Sequence, residues 1–353
     1  MRAHFRLIAV TAVLALAGVL TACDQSQNKN GSSVEELVVV SYGGAWQDAQ
    51  RKAFFEPFEK KFHVRIREET WSGDFGKLKA MVQSGNVTWD AVDVEAYMVP
   101  RGAAQNLYEK IDYSLVPKAE LFPAAIHEYG VATCFWSTIL AYNTNAFKGG
   151  SHPSGWKDFW NVVKFPGARA LRKDPVANLE IALLAAGVPK DNLYPLDVDA
   201  AFRSLDRIKP QVRVWWEAGE QPAQLLGSGE VAASTGWNGR IYNAANAGKP
   251  EAIDWTDGII SSDWWVIPRG SKHRDLAEEF IAYASSAGPQ AAMPTYIPYG
   301  PVNKKSIAIV PKQILQNLPT APANVAKQVF MNNAWWNDHQ AEVLERWNRW
   351  LLQ

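Results

Sequence analysis

The chain has 353 residues, with 36 Lys and Arg balanced by 36 Asp and Glu, and it carries 16 Trp but two Cys. A neutral balance lacks the basic footprint of a nucleic-acid-binding protein, so no nucleic-acid partner is expected. The length exceeds what one hydrophobic core usually supports, so two lobes are expected.

The N-terminus reads as a targeting segment. Arg2 and Arg6 precede an uncharged, mostly apolar run over 7–20, which ends in Leu20-Thr21-Ala22-Cys23. A basic head, an apolar run shorter than the roughly 20 residues that cross a bilayer, and small residues before a cut mark a secretory signal peptide. With cysteine after the cut, the tetrad resembles a lipobox, in which the Cys23 thiol takes a diacylglycerol; an ordinary signal with a chance cysteine is the alternative. Asp24 beside it resembles the residue found in lipoproteins retained at the inner membrane of Gram-negative bacteria. The expectation is a signal peptide over 1–22, a lipidated N-terminus and polar tether over 23–36, and a periplasmic domain anchored to the membrane by lipid. Losing 1–22 removes two arginines and no acid, leaving a net charge of about −2. Only Cys134 then remains besides Cys23, so no disulfide forms within the mature domain.

Leu37-Val38-Val39-Val40-Ser41-Tyr42 is an apolar run ending at Gly43-Gly44, the pattern of a strand buried on both faces. A helix is predicted over 45–62, a strand over 64–69, a helix over 74–83 and a strand over 91–97. This βαβαβ order predicts an α/β lobe with a doubly wound sheet. A second α/β set is predicted from a strand over 168–172, a helix over 175–186, and strands over 231–235 and 264–268. The last fifty residues read as largely helical, with Trp335, Trp336, Trp347 and Trp350 assigned to core packing.

Chemistry-bearing motifs are scarce. The histidines at 4, 63, 127, 152, 273 and 339 have no metal-ligand spacing, and the chain holds no phosphate loop or nucleophile elbow. No catalytic residue, metal or cofactor is therefore expected. Cys134, within Val131-Ala132-Thr133-Cys134-Phe135-Trp136, reads as a buried inert thiol. Ligand crevices of open α/β sheets lie beyond the carboxyl ends of the strands, so the side chains to consider sit there. Trp46 follows the first strand. Alternation over 91–97 puts Asp93, Glu95 and Tyr97 on one face. Trp237 and Arg240 follow the 231–235 strand, Asp263 precedes Trp264-Trp265, and Tyr299 lies in the Pro298-Tyr299-Gly300-Pro301 turn. Trp46 and Trp237 suit pocket or core equally, Glu95 suits a solvated strand position, Arg240 a helix surface, and Asp263 a cap.

Val39-Val40-Ser41-Tyr42-Gly43-Gly44, Trp89-Asp90-Ala91-Val92-Asp93-Val94-Glu95, Leu140-Ala141-Tyr142-Asn143, Trp156-Lys157-Asp158-Phe159-Trp160 with Phe165-Pro166-Gly167, Thr235-Gly236-Trp237-Asn238-Gly239 and Tyr299-Gly300-Pro301-Val302-Asn303 occur in this order. Together they resemble the spermidine/putrescine-type periplasmic solute-binding proteins of ABC importers, over nearly the whole mature chain. The resemblance implies two α/β lobes joined by crossover strands, 37–141 with 256–310 and 142–255 with 311–353, closing on solute by hinge bending. It implies that aromatic rings sandwich an amine while acids bind its ends, and Trp237, Tyr97, Asp263 and Tyr299 fall on positions of that kind; with Trp46, Glu95, Trp136 and Arg240 they are the expected ligand-binding residues.

Three departures bear on the ligand. The acid expected on the helix after Leu171 is replaced near Ala177, Trp-x-x-Tyr after the first strand has become Gly43-Gly44-Ala45-Trp46, and Arg240 sits close to where putrescine binders place an acid. An arginine there repels a diamine and welcomes a carboxylate. The expected solute is a small amine, a polyamine or, on these departures, a zwitterion such as an ω-amino acid or betaine, with Glu95 and Asp263 near the cation and Arg240 near the anion. Amides after Gly43-Gly44 offer a second anion site. The expected role is delivery of this solute, by a monomer, to ABC permease subunits in the inner membrane. The alternatives are a sensory or scaffold lipoprotein and, lacking a catalytic constellation, an enzyme.

Overall fold

Leu37, Val39 and Val40 are fully buried and Val38 nearly so, because the strand they form lies inside a mixed sheet with helices on its faces. The computed structural model describes residues 34–147 and 150–353. The segments expected to form a signal peptide and a lipidation site at Cys23 lie outside the described residues.

In chain order the strands are β1 (Glu36–Ser41), β2 (Arg65–Thr70), β3 (Ala91–Glu95), β4 (Ile126–His127), β5 (Gly130–Asn143), β6 (Arg169–Arg172), β7 (Val212–Trp216), β8 (Ala233–Trp237), β9 (Glu251–Val266) and β10 (Val329–Phe330). Their order across the sheet is β2-β1-β3-β9-β5-β8-β6-β7, with β10 on β9 and β4 on β5. β1 pairs in parallel with β2 and β3 at one end, and β6 in parallel with β7 and β8 at the other. Between these two parallel halves run β5 and β9, of 14 and 16 residues, antiparallel to each other and to their neighbours β8 and β3. β9 is bonded to the β3 half and β5 to the β8 half, and their own pairing joins the two.

Several sequence expectations change; the strand expected over 231–235 is β8, so Trp237 ends the strand instead of following it. The helix expected over 45–62 is instead Gly44–Gln50, a wide π-helical turn Arg51–Phe55, and Glu56–Phe62. Pro57 has no N–H to close the bond to the fourth residue back, and its ring crowds that carbonyl, so the ladder re-registers just before it. The strand expected over 264–268 is the last part of β9, which begins at Glu251. Asp263 accordingly lies inside a strand and caps nothing.

The aromatic C-terminal helix Asn333–Leu351 packs on the β6–β7 half. Trp336 Nε1 donates to Glu180 Oε1 at 2.5 Å and Trp350 Nε1 to Asp206 Oδ1 at 2.7 Å, while Trp347 is fully buried. Cys134 is likewise buried in β5, and burial pushes its thiol well above the ordinary range, as suits an inert core residue.

Candidate functional site

The carboxyl ends of β1, β3 and β8 converge on the middle of β5 and β9, and a narrow pocket lies there. Its lining comprises Trp46, Glu95, Trp136, Trp237, Arg240, Asp263 and Tyr299, seven of the eight positions expected from the sequence, together with Tyr42. Tyr97 is the exception. β3 stops at Glu95, so the alternation that was to bring Tyr97 to the same face ends two residues short, and Tyr97 precedes the helix Met98–Ala104 as a buried core residue.

The aromatic walls brace one another edge to face. Trp46 meets Tyr299 with ring centroids 5.2 Å apart, Trp136 meets Trp237 at 5.9 Å, and Trp237 backs onto Trp216 at 5.3 Å. The indole N–H groups orient the acids: Trp46 Nε1 donates to Asp93 Oδ2 at 2.7 Å, and Trp136 Nε1 to Asp263 Oδ1 at 2.9 Å.

The three acids differ in what holds them. Asp93 is fully buried beneath the pocket and accepts from Ser41, Trp46, Gln50 and Thr133. Glu95 is gripped by Arg172, whose Nη2 and Nη1 lie 2.7 and 3.4 Å from its two oxygens, and its backbone N–H donates to the Tyr42 hydroxyl at 3.1 Å. Asp263 accepts the Trp136 bond at Oδ1, and no hydrogen bond among the described residues reaches Oδ2. Burial, then the charges of Asp93 and Glu95, hold the Asp263 carboxyl well above the usual range.

At the other side stands Arg240, 4 % exposed, from the helix Asn238–Asn246. Its guanidinium carbon is 5.3 Å from the Trp237 ring, as is that of Arg172, so the indole carries two guanidinium neighbours. Arg240 Nη1 pairs with Glu220 Oε1, Nη2 donates to Gly43 O at 3.4 Å, and Nε is buried without a partner among the described residues. Glu220 Oε1 also accepts the Ala45 N–H at 2.8 Å, so the second anion site expected after Gly43-Gly44 is filled by a protein carboxylate. The approach requires glycine at 44: φ is +56°, and a Cβ there would collide with Glu220 and crowd Arg240.

Sequence reasoning missed Tyr42, Arg172 and Glu220. Tyr42 was read as the end of a strand, Arg172 as a strand residue like its neighbours, and Glu220 lies in a segment with no distinguishing pattern. A signal was present for Arg172, because an arginine ending a buried strand at the sheet's ligand edge needs a partner. The helix after Leu171, Asn178–Ala186, does carry an acid, Glu180, but it is buried against Tyr194 and Trp336 rather than in the pocket.

The profile of the bacterial extracellular solute-binding protein family matches residues 53–323. A gamma-aminobutyric acid-binding protein of Pseudomonas aeruginosa is 41% identical over 322 residues, covering 90% of this chain and 91% of that protein. A spermidine/putrescine-binding periplasmic protein of Escherichia coli is 22% identical over 306 residues, covering 83% and 85%. An ABC transporter substrate-binding protein from Bradyrhizobium japonicum superposes with a TM-score of 0.85 at 39% identity, covering 90% of this chain and 99% of that one. The resemblance and the two-lobed fold class expected from the sequence both hold. Among the described residues, no helix is long and apolar enough to cross a membrane.

Proposed function

This chain belongs to the bacterial extracellular solute-binding proteins, and we propose that it captures a short ω-amino acid of the 4-aminobutyrate class in the periplasm for an ABC permease. The observation that carries the reading is the presence of Asp263 and Arg240, an acid with a free oxygen and an arginine with a free N–H, on one aromatic-walled pocket. The ligand ammonium meets Asp263 and the Trp237 face, and the carboxylate meets Arg240. Two cations about 4 Å apart repel by roughly 1 to 4 kcal/mol between aqueous and near-surface dielectrics, so Arg240 disfavours the far end of a diamine. The 41% identity to a gamma-aminobutyric acid-binding protein of Pseudomonas aeruginosa supports the same solute class.

Closure follows from the two strands whose pairing joins the halves. With 37–141 and 256–310 as one lobe and 142–255 and 311–353 as the other, bending of β5 and β9 brings Arg240 and Trp237 toward Glu95 and Asp263. A solute touching both sides binds the closed form more tightly and shifts the population toward it, the state the permease reads. The lipobox supports anchoring of the mature chain through Cys23, tested by whether Cys23→Ala releases the protein from the membrane fraction.

The function is tested by thermal unfolding of the chain from Asp24 onward with 4-aminobutyrate, butyrate, butylamine or putrescine. The expected result is a concentration-dependent rise in Tm with 4-aminobutyrate and none with butyrate or butylamine, each lacking one charge. An equal rise with butylamine contradicts a role for Arg240 in recognition.

A further inference from the structure

The pocket has one more carboxylate than a monoamine needs, and an arginine is already on it. Glu95 pairs with Arg172 at both oxygens, and the Arg172 side chain is 15 % exposed against 5 % for Glu95, so the pair is withdrawn from solvent. The same guanidinium lies 5.3 Å from the Trp237 ring, the geometry a ligand ammonium would adopt. Its backbone is fastened: Asn178 Nδ2 donates to the carbonyls of Arg172 and Asp174 at 2.6 and 2.8 Å, fixing the turn after β6.

Asp93 leaves no capacity for a ligand, with donors from Ser41, Trp46, Gln50 and Thr133. Asp263 and Glu95 remain, and they stand opposite each other in the β3–β9 pairing. Two adjacent buried carboxylates beside an aromatic face would suit two ammonium groups. Arg172 cancels one of them.

We propose that Arg172 is a specificity-determining residue that stands in for the second ammonium of a diamine, so that the pocket offers one acid and accepts solutes with one cationic group. This inference rests on the ω-amino acid reading and deepens it: Arg240 chooses a ligand carboxylate, and Arg172 limits the ligand to a single amine. Replacing Arg172 by an uncharged side chain frees Glu95 and one face of Trp237, and opens a second cation subsite to diamines.

The test is calorimetric titration of the wild type, Arg172→Gln, Arg172→Met and the double variant Arg172→Gln/Glu95→Gln with 4-aminobutyrate and with putrescine. The expected result is a rise of at least tenfold in the ratio of putrescine to 4-aminobutyrate affinity in both single variants, cancelled in the double variant. A merely structural arginine would weaken both ligands together and leave the ratio unchanged, which overturns the proposal. Circular dichroism checks folding; if both single variants unfold, the fold depends on Arg172 and the proposal is overturned as well. A wild type silent toward 4-aminobutyrate would instead overturn the underlying reading, so the two failures are distinct.

Discussion

Asp263 lies directly opposite Glu95 in the antiparallel pairing of β3 with β9, and both carboxylates are buried, at 6 % and 4 % exposure. Arg172 compensates Glu95, whereas Asp263 receives one indole N–H and, among the described residues, no ion pair. A buried carboxylate with so little compensation destabilises the empty protein and suits it to bind a cation. Asp263→Asn is therefore expected to stabilise the ligand-free protein by about 1 kcal/mol, a rise in Tm of roughly 1–2 °C for a chain of this size. The same variant is expected to lose the stabilisation given by 4-aminobutyrate. Thermal unfolding with and without ligand checks both; a lower Tm in the empty state would show that Asp263 is a structural acid.

The raised Asp263 pKa fixes the sign of the pH dependence. Burial, then Asp93 and Glu95, favour the protonated acid in the empty protein, while a bound ammonium favours the carboxylate. Binding is expected to release a proton, and affinity to rise with pH up to the folded pKa. For the empty protein the effect is opposite: with the folded pKa above the unfolded value of about 4, the stability from this group is present below that value and lost as pH rises through the folded pKa. Titrations in buffers of different ionisation enthalpy measure the proton count, and uptake rather than release would contradict the placement of the ammonium at Asp263.

Gly44 tests the tie across the cleft. A Cβ at this position, with φ at +56°, would collide with the Glu220 carboxylate that joins Ala45 N–H to Arg240. Gly44→Ala is expected to cost about 1–2 kcal/mol of stability through backbone strain. It should also weaken 4-aminobutyrate binding at least tenfold and enlarge the radius of gyration by small-angle scattering, because the cleft closes less well. Unchanged affinity would show that the tie plays no part in closure.

Trp237 touches Trp136, Trp216 and both guanidinium groups, so it belongs to pocket and core together. Trp237→Ala is expected to cost roughly 3–5 kcal/mol and to abolish ligand-induced stabilisation in a protein that still folds. Trp237→Phe keeps the ring face and should retain measurable binding. If the alanine variant binds as the wild type does, Trp237 is core alone.

The sequence revealed the short elements better than the long ones. β1, β2 and β3 alternate with helices and end at glycine or polar turns, so their period and punctuation were readable. β5 and β9 were not, because strands buried on both faces lose the alternating signal and their pairings lie far apart in the chain. Trp46, Glu95, Trp237 and Arg240 were legible because strand ends are where α/β sheets place ligands, whereas Trp136 and Asp263 lie inside the long strands β5 and β9. Tyr97 failed because a single turn after Glu95 cancels the two-residue alternation. Arg172 and Glu220 were hidden for a different reason: each is defined by a partner 77 or 175 residues distant, Glu95 and Ala45, and only folding brings these together.

The central claim is that one pocket reads an ammonium and a carboxylate on the same small solute, through Asp263 and Arg240. Calorimetric titration of the wild-type chain from Asp24 onward with 4-aminobutyrate, with putrescine and butyrate as comparisons, tests it most directly. The account predicts saturable one-to-one binding of 4-aminobutyrate and at least hundredfold weaker binding of the other two, about 2.7 kcal/mol in binding free energy. Tight putrescine binding with no heat from 4-aminobutyrate would contradict it.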